Sequence, residues 1–224
     1  MKRQVVVIGL GRFGTSVASS LTSSGYDVLA LDSGEREVQT ASAQIAHVVQ
    51  ADATDEAVLN ELGVKDFDVA IVAIGSDIQS SVLVTVLLKK LGIPYVVSRA
   101  GNMLHGEILR KIGADKVVFP EFEMGNRMAH ELALGNVSDY LPVTPRYGIA
   151  SIEAQGDIVD HTLGDLGIGP RGRESVAALL IRRGNEVIVT PSLSEMVKAG
   201  DMLILAGTDD RLEAFLEKTV AKKK

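Results

Sequence analysis

The stretch VVVIGLGRFGTSVASSL, residues 5–21, decides the fold. Val5 to Ile8 form an unbroken β-branched run, the pattern of a strand buried on both faces. Gly9-Leu10-Gly11-Arg12-Phe13-Gly14 follows and fits G-x-G-x-x-G, and Val17 and Leu21 then carry helical spacing. The pattern alone is weak evidence. Set between a strand and a helix, with Asp32 at the end of the next strand, it points to a turn that receives phosphate. Gly9 permits the tight turn, Gly11 lets the backbone come close to a phosphate, and Gly14 lets the helix pack on the sheet. The helix N-terminus adds unpaired N–H groups and partial positive charge. Asp32 is placed to accept hydrogen bonds from both ribose hydroxyls, and its charge would repel a 2′-phosphate, which disfavours NADP. Arg12, at the mouth of the helix, offers a bidentate partner for a further phosphate. Phe13 within the turn, and Ser33 and Gly34 after Asp32, belong to the same candidate site.

Outward from this stretch, the first 120 or so residues repeat one rhythm. Strands are expected at Gln4–Ile8, Asp27–Leu31, Ala46–Gln50, Asp68–Ile74, Tyr95–Ser98 and Lys116–Phe119, with helical spacing between them. Gly25, Gly63, Gly92 and Gly113 stand where those helices should stop. Alternating strands and helices predict an α/β, Rossmann-type doubly wound parallel sheet of six strands. The helix Asp77–Leu91 is apolar nearly all round, which suggests a face packed on another subunit as well as on the sheet. After Pro120 a helix over Glu121–Leu134 is followed by Gly135, Pro142 and Pro145, and a boundary is placed at 138/139. Residues 139–224 then form a smaller α+β unit. Its strands are expected at Ile149–Ala154, Val176–Arg182, Glu186–Thr190 and Met202–Ala206, with helices at Thr162–Leu166 and Arg211–Lys218. The run RRGNEV marks a hairpin.

Composition narrows the function. The chain has 224 residues, 46% of them apolar and 23% charged, and a net charge of −6. No broad basic footprint exists, so nucleic acid is not an expected partner; Lys222-Lys223-Lys224 reads as a solvated tail. There is no cysteine, which excludes disulfides, thiolate metal sites and a cysteine nucleophile. His47, His105, His130 and His161 show no metal-ligand spacing, and His105 by itself reads as a surface residue. A cytoplasmic setting suits this composition. No apolar run approaches the roughly 18 residues that span a bilayer, so no direct membrane insertion is expected. Lys2-Arg3 and Val5–Leu10 superficially resemble a signal peptide, but the glycines that cut the run fit a strand and turn better.

Further candidates follow the other strands, where ligands bind in such sheets. The stretch ADAT, 51–54, follows the third strand and is placed to meet the adenine edge. The stretch AIGSD, 73–77, follows the fourth, with Gly75 allowing close approach. Arg99, Ala100 and Gly101, in SRAGN, supply a second cation, and Arg12 with Arg99 suits a polyphosphate. Glu121, in FPE, admits two readings: an acid favoured by a helix dipole, or a carboxylate kept beside phosphates by a divalent cation. Spacing alone favours the first.

Taken together, VIGLGRFGTSVA, ADATDEAVLNELGVKDFDVAIVAIG, RAGNMLHGEILRKIGADKVVFPE and, near the C-terminus, LLIRRGNEVIVTPSLSEMVKAGDMLILAGT resemble the RCK, or Trk/Ktr-type, family of bacterial potassium-uptake regulators. The likeness covers almost the whole chain. It implies a ligand-gated regulatory subunit that binds ATP or ADP, or NAD(H) in the Trk branch. Family members assemble as homodimers into an octameric ring beneath an integral membrane potassium-translocating subunit, at the cytoplasmic face of the membrane. By position the resemblance puts Arg12 on the terminal phosphates, Asp32 on the ribose, Asp52 and Ala53 at the adenine, and Ile74, Gly75 and Ser76 along the cleft. Arg99, Ala100, Gly101 and His105 complete the phosphate side. Glu121 becomes a ligand of a divalent cation (Mg2+ or Ca2+) between two nucleotide sites, which reverses the reading from spacing. In some relatives the C-terminal domain binds cyclic di-AMP; the stretch GIGPRGRESV, 167–176, departs from the shorter family form and argues against that ligand.

Two rival readings share the glycine turn. An NAD-dependent oxidoreductase needs an acid–base group near the hydride and a substrate domain. The C-terminal unit offers only His161, and about 80 residues is small for that purpose. A stand-alone nucleotide sensor would use the same site and differ only in its partner.

Overall fold

The structure is a computed structural model that describes residues 3–134, 137–144, 146–169 and 176–219. Gly135, Pro145, the middle of the 167–176 stretch and the terminal lysines lie outside the described residues. The chain forms two compact units, Met1–Glu121 and Phe122–Lys224.

In the first unit β1 (Gln4–Ile8), α1 (Arg12–Ser23), β2 (Asp27–Asp32), α2 (Glu35–Ala41), β3 (His47–Gln50) and α3 (Glu56–Glu61) lead to β4 (Val69–Val72). Then come α4 (Ile78–Lys90), β5 (Tyr95–Arg99), α5 (Met103–Lys111) and β6 (Lys116–Val118). All six strands are parallel, in the order β3-β2-β1-β4-β5-β6. Both faces of the sheet are covered. Val5 and Val7 pack with Ala18 of α1 and Ala41 of α2, while Val6 and Ile8 pack with Leu59 of α3 and Val84 and Leu88 of α4. The alternation along β1 thus places one core on each side, the doubly wound arrangement that the strand pattern predicts. Gly25, Gly63, Gly92 and Gly113 all adopt positive φ at the expected helix ends. In α4, Ser81, Val84, Thr85, Leu87 and Leu88 are buried. Ile78, Leu83 and Val86 remain about 40% exposed and form an uncovered apolar row.

The glycine turn is fixed by contact. Gly9 has φ of 95°, a left-handed conformation, and a Cβ on Gly14 would lie 1.8 Å from the Gly9 carbonyl oxygen. The first turn of α1 therefore lies directly on the turn that feeds it, and only hydrogen fits between them.

The second unit begins with the body of α6 (Pro120–Leu134). This division falls before the 138/139 boundary expected from the sequence. The reason is packing: Arg127 pairs with Asp139, and the His130 ring stacks on Tyr140 with centroids 4.8 Å apart. Next come β7 (Asp139–Thr144), β8 (Tyr147–Glu153), β9 (Ala177–Arg183), β10 (Glu186–Val189), β11 (Met202–Thr208) and α7 (Asp209–Thr219). The strands form an antiparallel sheet in the order β10-β9-β11-β8-β7. The RRGNEV run makes the β9–β10 hairpin. Two expectations are corrected. β7 was not foreseen; its Pro142 is tolerated because the strand is an edge. Thr162–Leu166 is not a helix. Its one helical bond, Leu166 N–H to the Thr162 carbonyl at 3.1 Å, is not continued. Instead the Asp165 carboxylate accepts the Thr162 hydroxyl at 2.6 Å, and Thr162 bridges to Met196.

One ion pair fastens the loop before β11 to β9. Asp201, whose side chain is 1% exposed, accepts Arg183 Nε at 3.0 Å and Nη2 at 2.8 Å, and the Lys198 N–H at 2.9 Å. Burial pushes its carboxyl up, but these bonds outweigh burial and hold it below 3.8. The stabilisation is therefore present above about pH 4 and is lost as pH falls through the lower folded-state value. Asp201→Asn leaves the Arg183 charge without this partner and should cost about 3 kcal/mol at pH 7. The gap between variant and parent should narrow below pH 4, as urea unfolding at both pH values will show.

Candidate functional site

A cleft of about 340 Å³ opens at the C-terminal ends of the parallel strands, beside β1 and β4, where the direction of strand succession reverses. Gly11 caps α1 with no side chain to bond its first-turn N–H groups, and a Cβ on Gly11 would meet nothing within 4 Å. The helix thus presents an open, uncapped N-terminus to the cleft.

Asp32 does more than line this space. Its Oδ2 accepts the Leu10 N–H at 2.5 Å and its Oδ1 accepts the Gly34 N–H at 2.8 Å. The carboxylate therefore ties the glycine turn to the end of β2 and to the start of α2. Ser33 lines the cleft beside it. Asp52 and Ala53 line it from the β3 side, with Asp52 Oδ1 accepting both the Thr54 hydroxyl at 2.7 Å and the Thr54 N–H at 2.9 Å. Those two bonds lower the Asp52 carboxyl below its usual range. Ile74, Gly75 and Ser76 form the wall after β4, which ends at Val72 rather than at Ile74 and so leaves these residues in a loop.

Arg99 closes the other end. Its guanidinium lies 5.9 Å from the centroid of Phe13, and Gly75 packs so closely that a Cβ there would be 2.5 Å from Arg99 Cζ. Nη2 bonds Glu121 Oε1 at 2.5 Å, while Nε is buried and has no partner among the described residues. Glu121, expected at a divalent cation, thus neutralises Arg99. Among the described residues, no three His, Cys, Asp or Glu side chains converge on a metal site.

Several expected residues support the cleft without lining it. Gly14 packs under the turn, Gly34 bonds Asp32, Phe13 lies under Arg99, and Ala100 is buried behind β5. Arg12 is exposed at the start of α1. His105 is 1% exposed, not a surface residue. Its Nδ1 accepts the Gly101 N–H at 3.2 Å, so the proton of the neutral ring belongs on Nε2, which has no partner among the described residues. Burial lowers its pKa, so the ring is neutral at pH 7. It braces the loop after β5 rather than meeting phosphate as a cation.

The sequence reading missed Glu37 and Ser80, which also line the cleft, as do Thr54 and Asp77 at the ends of the candidate stretches ADAT and AIGSD. Asp77 caps α4, its side chain accepting the Ser80 N–H at 3.1 Å. Among the described lining residues Asp32, Glu37, Asp52 and Asp77 are acidic and Arg99 alone is basic. The charges are segregated: three of the carboxylates belong to the β2–β3 side, and the guanidinium to the β5 side.

Comparison with known proteins places this geometry. Residues 5–120 match the TrkA-N domain and residues 149–219 the TrkA-C domain. The Ktr system potassium uptake protein C of Bacillus subtilis is 41% identical over 223 residues, covering 100% of both chains. The Ktr system potassium uptake protein A of the same organism is 35% identical over 95% of each. Among solved structures, the GsuK channel superposes on 99% of this chain with a TM-score of 0.66 at 19% identity, and the chain spans 40% of the channel's length. The same channel is known bound to NAD, with a TM-score of 0.62, and bound to ADP, with a TM-score of 0.50 over 58% of this chain. The chain belongs to the RCK family of Ktr- and Trk-type potassium-uptake proteins.

Proposed function

We propose that this chain is a regulatory subunit of a potassium-uptake system that binds ATP or ADP in the cleft of its first unit. The observation that carries this reading is the open helix N-terminus of α1, joined through Asp32 to an acid-lined pocket of nucleotide size. The ribose and adenine lie toward Asp32 and Asp52, whose carboxylates accept hydroxyl and amino protons. The phosphates run over Gly11 toward Arg12 and Arg99. NAD is the second reading, favoured by the NAD-bound GsuK channel, and uses the same turn with fewer charges near Arg12.

In this reading the terminal phosphate competes with Glu121 for Arg99. Glu121 stands in the first turn of α6, whose body belongs to the second unit. A phosphate that takes over the guanidinium releases that carboxylate, and a divalent cation held by the phosphates gives it a new partner. ATP and ADP differ only in that outer phosphate, so only such differential contacts can bias two conformations. A full reversal of a two-state population needs about 5.5 kcal/mol, within reach of a few charge-assisted contacts at about 1.5–3 kcal/mol each, summed over subunits. The uncovered row on α4 supports pairing into homodimers, which an octameric ring would collect beneath a membrane potassium-translocating subunit on the cytoplasmic side. Among the described residues no helix is long and apolar enough to cross a membrane, so contact with the bilayer falls to that partner.

Calorimetric titration of the purified chain with ATP, ADP and NADH tests the reading: ATP and ADP should bind, and indifference to every adenine compound would end it. Arg12→Ala should weaken ATP about tenfold or more and ADP less. Equal losses would remove Arg12 from the outer phosphate. Glu121→Gln should tighten ATP binding in EDTA, because Arg99 is released, and lose that gain in Mg2+. An unchanged affinity in EDTA would show that Glu121 does not compete for Arg99.

A further inference from the structure

Glu37 lines the cleft and had no part in the sequence reading. It stands in the first turn of α2, after the N-cap Gly34, and its ordinary role there is a favourable interaction with the helix N-terminus. The geometry adds something. A Cβ on Gly34 would lie 2.3 Å from Glu37 Oε2 and 3.3 Å from Asp32 Oδ1. The Glu37 side chain therefore turns back over Gly34, and two carboxylates flank this one backbone position at the sugar end of the cleft. They are not equivalent. Each oxygen of Asp32 already accepts a backbone N–H, from Leu10 and from Gly34. Among the described residues Glu37 makes no hydrogen bond or ion pair, so its charge and acceptor capacity remain available to whatever fills the cleft.

We infer that Glu37 shares with Asp32 the selection of an unmodified ribose: it accepts the 2′-hydroxyl and sets its own charge against nucleotides that carry a phosphate there. A vicinal diol has two donors. Asp32, partly occupied in holding the turn, serves one, and Glu37 serves the other. A 2′-phosphate has no proton to offer at pH 7 beyond a fraction of one, and would bring its charge against a carboxylate that no N–H offsets. A missing hydroxyl leaves that carboxylate short of a donor in a partly desolvated place. Sites built to bond a hydroxyl discriminate strongly against its absence. The inference rests on nucleotide binding in this cleft and adds the sugar chemistry that the cleft accepts.

The test is a set of calorimetric affinities for ADP, 2′-deoxy-ADP, NAD+ and NADP+, measured on the full chain and on Glu37→Gln. Glutamine keeps the length of the side chain and its fit over Gly34, and thermal melting confirms that both proteins are folded. The parent should prefer ADP over 2′-deoxy-ADP and NAD+ over NADP+. In Glu37→Gln each preference should shrink by about tenfold, since a charge-assisted bond is replaced by a neutral one. Glu37→Ala, which removes the side chain altogether, should shrink both preferences at least as far. Unchanged ratios in variants that still bind ADP would overturn the role of Glu37 and leave the nucleotide reading standing. A parent chain that binds none of the four compounds would instead overturn the nucleotide reading itself.

Discussion

The carboxylate of Asp32 is the hinge pin of the first unit. One oxygen holds Leu10 in the glycine turn and the other holds Gly34 at the start of α2. Two connections from different crossovers are thereby fixed to the end of one strand, close to the strand whose turn they border. A hydrogen bond to a charged acceptor contributes about 1.5–3 kcal/mol, so the turn is pre-shaped before any ligand arrives. The open N-terminus of α1 and the close contact of Gly14 with Gly9 both depend on that shape. So does the division of labour in the cleft, since a carboxylate engaged with backbone on two sides leaves its neighbour Glu37 as the freer acid.

The opposite end of the cleft is held by a different logic. Arg99 is fixed by shape, with Phe13 on one side and Gly75 on the other, and by charge through Glu121. Its buried Nε has no partner among the described residues. A guanidinium held with a donor unspent is a site where an incoming oxygen anion gains more than it would in water, because the cost of desolvating the donor has already been met by folding. Glu121 lies one residue past Pro120, at the beginning of a helix that runs into the second unit. The charge balance around Arg99 is therefore covalently continuous with the other half of the chain.

Much of the fold was legible because its strands are buried on both faces and so announce themselves as β-branched runs. β1 matches its expected limits residue for residue, and the glycines after four helices adopt the predicted backbone. Legibility failed where local chemistry competes with periodicity. Thr162–Leu166 has helical spacing, but Asp165 bonds Thr162 and closes a turn instead. β7 carries Pro142 in its middle and looks like a linker, although it completes the edge of the second sheet. At the site, residues on the strand ends were readable from position. His105 was not, because burial at the first turn of a helix leaves no mark in a single sequence, and Glu37 resembles any solvent-facing helix acid until its side chain is seen turned back over Gly34.

Tyr140 has a practical consequence. Its ring is buried against His130 and its hydroxyl donates to Asp209. Desolvation first, and then the Asp209 carboxylate, push its phenol well above 10.0. Tyr26, Tyr95 and Tyr147 are exposed, and the chain has no tryptophan. In alkaline absorbance the Tyr140 phenolate therefore forms only as a late step, well above 10.0. The late step is a label-free optical gauge of whether the second unit is intact, built from side chains that the protein already has.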